Sequence, residues 1–183
     1  MTGYLDITFG PMFSGKTNNL IDKVNSYIDK SKQQGKNNKT LVINHSSDDR
    51  DVGLSPHTKR EVKTLVFKAS LLSEINADLY NYIAIDEAQF FPDLKYTVEH
   101  WLKLGKRIHC VGLIANTERQ VFGQLSSLFV IADNITQLKA FCYVCGDKTP
   151  NASFTISIVP KKDGILVGAQ EYYRPVCGNH YKT

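Results

Sequence analysis

The sequence contains no apolar run approaching the ~18–20 residues that a membrane-spanning helix needs, so a membrane partner is not expected. Its N-terminus, Met1-Thr-Gly-Tyr-Leu-Asp-Ile7, lacks the basic start and apolar stretch of a secretory signal. A cytoplasmic location is therefore the expectation. Net charge is also scarce. Lys and Arg number 22 against 18 Asp and Glu, a formal +4, which is weak for a protein that coats nucleic acid. Internal repeats and low-complexity segments are absent. Cysteine is limited to four residues, one at 110 and the others within the last 42 positions, which argues against disulfides spread along the chain. What remains is ordinary: 42% hydrophobic and 22% charged residues exclude a disordered, collagenous or coiled-coil chain. A length of 183 residues allows one domain and a small appendage, with a core burying roughly 70% of the unfolded surface.

The periodicity alternates between strand and helix. Tyr4 to Phe9 reads as a strand, broken by Gly10-Pro11. From Lys16, apolar residues at Leu20, Ile21, Val24, Tyr27 and Ile28 follow a helical stripe, which ends in the polar stretch Gln33 to Asn38. Strands are expected at Thr40–Asn44, Val62–Phe67, Tyr82–Ile85, Arg107–Leu113 and Ile135–Ala140. A short helix is expected over Leu71–Ile75, and an amphipathic one is marked by Leu94, Val98, Trp101 and Leu102. Residues 45–60 carry turn formers and charge without period, a long loop of the kind that is usually functional. The alternation predicts an α/β fold, a parallel sheet covered by helices on both faces. Beyond residue 140 the texture changes to Cys, Gly, Pro and short β runs. This divides the chain into an α/β unit over 1–140 and a small lobe over 141–183.

Gly10-Pro11-Met12-Phe13-Ser14-Gly15-Lys16-Thr17 fits G-x-x-x-x-G-K-[ST] between an expected strand and an expected helix. Backbone N–H groups of such a loop surround phosphate oxygens, and the helix N-terminus adds its positive end. Lys16 supplies a mobile charge for the outer phosphates, and the Thr17 hydroxyl is a Mg²⁺ ligand. Ile83-Ala-Ile-Asp86-Glu87 is an apolar strand ending in two carboxylates. Asp86 suits Mg²⁺. Glu87 suits a nucleophile beside the γ-phosphate, either deprotonating a substrate hydroxyl or orienting a water. The first role makes a kinase, the second an ATPase of the kind that moves a load. Asp-Glu-Ala-Gln also occurs in helicase-type boxes, but such motors usually need two domains.

Cys142-x-x-Cys145 and Cys177-x-x-His180 are two close donor pairs about 30 residues apart. Each suits a tight knuckle turn, and three thiolates with one imidazole would close the shell of a structural Zn²⁺. A disulfide or a redox C-x-x-C are the competing readings. The first needs an oxidising compartment, and the second has no use for the Cys177/His180 knuckle. Cys110, inside a strand pattern, reads as a buried apolar residue. A zinc-knuckle nucleic-acid binder would want a basic face interleaved with aromatics. The basic excess is instead local: residues 16–39 hold six lysines and two aspartates.

Taken together, Gly10–Thr17, Ile85-Asp-Glu-Ala-Gln-Phe-Phe91, Phe122-Gly123, the Cys142/Cys145 knuckle and Tyr173-x-x-x-Cys177-x-x-His180 resemble the small cellular and poxviral (type II) thymidine kinases over nearly the whole chain. The resemblance implies a P-loop (RecA-like) fold and transfer of the γ-phosphate of ATP-Mg²⁺ to the 5′-hydroxyl of thymidine. It implies Glu87 as general base, Asp86 as Mg²⁺ partner, and Asp48 and Arg50 as metal and phosphate contacts. Met12, Phe90, Phe122 and Thr155 would line the base pocket. Ile165, Leu166 and Gly168 would lie in a lasso reading the thymine edge, with Tyr173 closing over it. A homotetramer inhibited by thymidine triphosphate is also implied. The chain departs from the family pattern at Leu113-Ile114-Ala115-Asn116-Thr117, where an acid and an aromatic are usual, at Ser157 for an arginine, and at His180 for a cysteine.

Overall fold

A computed structural model describes residues 3–48, 61–146, 149–159 and 172–181. Strands β1 (Tyr4–Phe9), β2 (Thr40–His45), β3 (Leu65–Ala69), β4 (Tyr82–Ile85), β5 (Arg107–Gly112) and β6 (Asn134–Gln137) form one sheet in the order β3-β2-β4-β5-β1-β6. Every pairing is parallel. Helices α1 (Lys16–Gln33) and α2 (Leu94–Lys103) cover opposite faces. The parallel α/β sheet expected from the alternating periods is therefore present, and its central strands are buried on both sides.

The two faces differ in chemistry. On one, Leu5 and Ile7 of β1 join Ile43, Ile83, Ile85, Ile108 and Cys110 against Phe91, Val98 and Trp101. On the other, Leu20, Ile21, Val24 and Ile28 of α1 pack on Val42, Tyr82, Ala84 and Val111. Each fully buried Leu or Ile supplies about 2 kcal/mol of transfer free energy, so the helical stripe is enough to seat α1. Beside that stripe lies a part-buried polar chain. Asp6 pairs with Lys23 Nζ at 2.7 Å and accepts from Asn134 Nδ2 at 2.9 Å. Thr8 Oγ1 donates to Asn19 Oδ1 at 3.1 Å and lies 3.0 Å from His109 Nε2. Because the Thr8 hydrogen goes to Asn19, the imidazole donates through Nε2. Its Nδ1 is then a buried acceptor without a hydrogen-bond partner among the described residues.

The third strand is displaced from expectation. It runs Leu65–Ala69 rather than from Val62 to Phe67, because the backbone before it is occupied elsewhere. Asn25 of α1 accepts from Lys63 N and donates to the Glu61 carbonyl, and the Thr64 hydroxyl takes the Thr40 carbonyl at 2.6 Å. Pairing with β2 then begins at Leu41↔Leu65 and continues to His45↔Ala69. The short helix at 71–75 is a 3₁₀ turn over Leu72–Glu74, pinned by Asp93, whose carboxylate accepts from Leu72 N and Ser73 N. A 3₁₀ segment at Leu125–Ile131, unforeseen in the sequence, buries Leu125 and Leu128. Beyond the sheet, β7 (Phe154–Ser157) and β8 (Tyr173–Val176) form an antiparallel pair. They lie beside a separate small core of Ala140, Cys142, Ala152, Val176 and Cys177.

His109 makes the fold sensitive to pH. Burial pushes its pKa down to about 3, while the unfolded imidazole titrates near 6.5. The folded chain keeps the ring neutral and the unfolded chain takes up a proton. Stability is thus fully present above pH ~6.5 and falls as pH drops toward the folded value. For this one group, unfolding in urea at pH 7 and pH 5 should differ by about 2 kcal/mol. The variant His109→Gln should lose most of that difference; an unchanged pH slope would show that the ring is protonated in the folded chain.

Candidate active site

The C-terminal ends of the central strands carry the chemistry. After β1, the loop 10–15 bends back through two left-handed residues, Phe13 at φ 64° and Gly15 at φ 80°, before α1 begins. The left-handed conformation strongly favours glycine at position 15. No side chain caps α1, and no acid lies in its first turn, so its first N–H groups are left for an anion or water. Lys16 Nζ donates to the Pro11 carbonyl at 2.8 Å, which folds the ammonium over the loop. Ser14 Oγ is a buried hydroxyl with no hydrogen-bond partner among the described residues.

Across from the loop, β4 ends at Asp86-Glu87. The Thr17 hydroxyl donates to Asp86 Oδ2 at 3.0 Å, and Asp86 Oδ1 accepts from Glu87 N at 3.1 Å. Asp86 N donates to the Ile43 carbonyl at 2.8 Å, which fixes this acid to β2. A hydroxyl and a carboxylate this close offer hard oxygen donors that suit Mg²⁺. Glu87 sits at φ 51°, ψ 40°, a left-handed conformation costly for a residue with a Cβ. Its carboxylate is held by Gln89, which is 4% exposed. Gln89 Nε2 donates to Glu87 Oε2 at 2.6 Å, and Gln89 Oε1 accepts from Leu113 N at 2.8 Å. The backbone around this amide has no spare room. A Cβ at Gly112 would strike Gln89 Oε1, and one at Gly123, itself at φ 65°, would strike the Gln89 carbonyl.

An aromatic wall adjoins the acids. Phe90 meets Phe122 edge-to-face with centroids 5.5 Å apart, and His45 packs on Phe90 at 5.5 Å and on Phe91 at 4.8 Å. Burial holds His45 below the usual imidazole range, against a backbone hydrogen bond at Ser70 and the nearby Glu87 charge. Asp48 follows β2 and is buried. Its carboxylate accepts from Asn44 Nδ2 at 2.9 Å, and its carbonyl accepts from Lys68 Nζ at 2.7 Å. From the second sheet, Thr155 Oγ1 accepts from Met12 N at 3.0 Å, which ties the small lobe to the loop 10–15. Tyr173 stands opposite Ser157 in the same small sheet. Arg50, Ile165, Leu166 and Gly168 lie outside the described residues.

The four cysteine-and-histidine donors converge as their spacing suggested. The Sγ atoms of Cys142, Cys145 and Cys177 and one ring nitrogen of His180 all lie within 4.8 Å of one another. His180 Nδ1 is 3.3 Å from both Cys145 and Cys177 Sγ and 3.6 Å from Cys142 Sγ. Tetrahedral Zn²⁺ with Zn–S bonds near 2.3 Å needs donors about 3.8 Å apart, so this set fits zinc with small adjustments. Cys177 N also donates to Cys142 Sγ at 3.4 Å, the kind of bond that favours a thiolate ligand. No disulfide is formed among the four cysteines. Cys110 is fully buried in the sheet core, as expected.

Sequence reasoning places Thr17 and Asp86 at the metal and Met12, Phe90, Phe122 and Thr155 around the base; the structure puts Thr17 on Asp86, Met12 on Thr155 and Phe90 on Phe122. Sequence reasoning assigns nothing to Gln89, Asn44 or His45. A buried glutamine carries no periodic signal, and only the flanking Gly112 and Gly123 hint that something bulky approaches the backbone there.

The chain is similar to known proteins over most of its length. The family model described as thymidine kinase matches residues 3–181. The chain is 33% identical over 181 residues to the thymidine kinase of Amsacta moorei entomopoxvirus, covering 94% of both chains. It is 32% identical over 191 residues to thymidine kinase 1 of Dictyostelium discoideum, covering 100% of this chain and 79% of that one. Against the cytosolic thymidine kinase of Bos taurus it is 30% identical over 178 residues, covering 96% of this chain and 70% of the bovine one. With its parallel sheet, its acid pair at the strand ends and a match spanning almost its entire length, the chain belongs to the thymidine kinase family.

Proposed function

We propose that this chain carries out the family reaction, γ-phosphoryl transfer from ATP to the thymidine 5′-hydroxyl giving dTMP, with Glu87 as general base. The observation that carries this assignment is the Glu87 carboxylate, fixed by Gln89 at the strand ends beside the loop 10–15 and the Phe90–Phe122 wall. A fixed carboxylate beside an aromatic wall suits a nucleoside hydroxyl, whose base packs on the rings while its proton is taken. Gly10 to Thr17 would bind the phosphates, with Lys16 releasing Pro11 to meet the transferred group. Thr17 and Asp86 would hold Mg²⁺, with Asp48 and Arg50 contributing to the metal and phosphate shell. The ion would offset charge on the β- and γ-oxygens. Met12, Phe90, Phe122, Thr155 and Tyr173 would bound the nucleoside, and Ile165, Leu166 and Gly168 would read the thymine edge.

Cys142, Cys145, Cys177 and His180 would hold a structural Zn²⁺ and organise residues 141–183 as a lobe distinct from 1–140. The separate core around Ala152 and Val176 supports that division. We also propose a cytoplasmic homotetramer. Among the described residues no helix is long and apolar enough to cross a membrane. Both edge strands expose apolar side chains, Leu65 and Phe67 on β3 and Ile135 on β6, which supports association.

With labelled ATP and a panel of thymidine, deoxyuridine, deoxycytidine and no acceptor, product should form with thymidine. Turnover without nucleoside would instead identify an ATPase. Glu87→Gln should lower kcat at least ~100-fold with ATP and thymidine binding largely retained. Near-normal turnover in that variant would remove Glu87 from its role. Stripping the metal with a chelator should unfold the 141–183 segment and abolish thymidine binding. Metal-free protein with full activity would contradict the zinc assignment.

A further inference from the structure

The segment after β5 is a hairpin closed on itself. Ala115 and Val121 form an antiparallel bridge, Phe122 N donates to the Ile114 carbonyl at 3.0 Å, and Asn116 N donates to the Gln120 carbonyl at 2.9 Å. Inside the turn, the Asn116 side-chain oxygen accepts from Glu118 N at 2.9 Å and Gln120 N at 3.0 Å. At its tip Arg119 adopts φ 60°, a left-handed conformation that a side chain disfavours. That conformation delivers the guanidinium over the Tyr181 ring at 3.6 Å and the Phe154 ring at 4.7 Å. Tyr181 Oη donates to the Thr117 carbonyl at 2.7 Å, a second attachment to the same tip.

Both ends of this contact lead to the site. Tyr181 follows the donor His180, and Phe154 precedes Thr155, which accepts from Met12 N in the loop 10–15. The base of the hairpin carries Leu113 N, which binds Gln89, and Phe122, which meets Phe90. We propose that Arg119 is a positioning residue for phosphoryl transfer. By clamping the hairpin to the Cys/His knuckle, it sets the Phe122 wall and, through Leu113 and Gln89, the Glu87 carboxylate. Arg suits this place because its cation lies over two rings at once, which a neutral side chain cannot reproduce.

This inference rests on the proposed kinase reading, and the two are separated by measuring the wild-type protein first. Thymidine turnover by the wild type tests the reaction, and the Arg119 variants test the clamp. Arg119→Met and Arg119→Gln should each lower kcat/KM for thymidine about tenfold. KM for ATP should stay within about twofold, and bound zinc should stay at the wild-type level. Arg119→Lys, which keeps a cation over the rings, should recover a substantial part of the loss. Amide hydrogen exchange should quicken over residues 113–124 in the Met variant. In a double-mutant cycle with Tyr181→Leu, the second change should cost much less than the first. Unchanged kcat/KM for thymidine in both variants would overturn the proposal. So would zinc loss, or an equal loss toward ATP and thymidine, since Arg119 would then be holding the fold rather than the pocket.

Discussion

The side chain of Gln89 joins two parts of the site that would otherwise be independent. One end of the amide takes the N–H of Leu113 just past β5, and the other gives a 2.6 Å hydrogen bond to Glu87. An amide can do both at once because it carries a donor and an acceptor on one rigid plane. It is buried, so losing either bond would leave an unsatisfied polar group at a cost of about 1–3 kcal/mol. The strained backbone of Glu87 and the glycines at 112 and 123 make sense as accommodations to this contact. A carboxylate held this way needs no reorganisation when a hydroxyl arrives beside it.

Around that joint the chain arranges its chemistry by layer. The sheet fixes β1, β4 and β5 in register, and their C-terminal ends deliver the loop 10–15, the acid pair and the hairpin to one edge, as open parallel sheets generally do. Thr17 reaching Asp86 links the first helix to the end of the fourth strand, so the loop 10–15 and the acids are set relative to each other. The second sheet, β7 and β8, and the Cys/His knuckle adjoin the same edge. They touch the loop through Thr155 and Met12 and the hairpin through Tyr181 and Arg119. With too little apolar material for a large core of its own, this segment would gain from a metal at its Cys/His donors, which would add binding free energy to folding.

The sequence made the strands, both helices, the loop 10–15 and the donor cluster legible, because each rests on a local pattern. Alternating periods mark β1 and α1, and fixed spacings mark Lys16, Asp86 and the Cys/His pairs. Side-chain claims on the backbone were not legible. Asn25 capturing residues 61–63 moves the third strand, and nothing in the hydrophobic pattern announces it. The 3₁₀ turn at 125–131 rests on two buried leucines, too few to show a period. Gln89 and Arg119 are polar residues whose importance lies in partners distant in sequence, Leu113 for one and Tyr181 for the other. The resemblance to the family reached the motif that contains Gln89 without giving it a task. Its assignments at Arg50, Ile165, Leu166 and Gly168 fall outside the described residues.

In the proposed reaction Gln89 holds the Glu87 carboxylate for phosphoryl transfer. Steady-state kcat for Gln89→Met, at saturating ATP and thymidine and with the unfolding midpoint measured alongside, addresses it directly. Methionine fills similar volume and removes both hydrogen bonds. The expected result is a fall in kcat of at least tenfold, about 1.4 kcal/mol of transition-state stabilisation, in a chain that still folds and binds ATP. A kcat equal to wild type in the folded variant would contradict it.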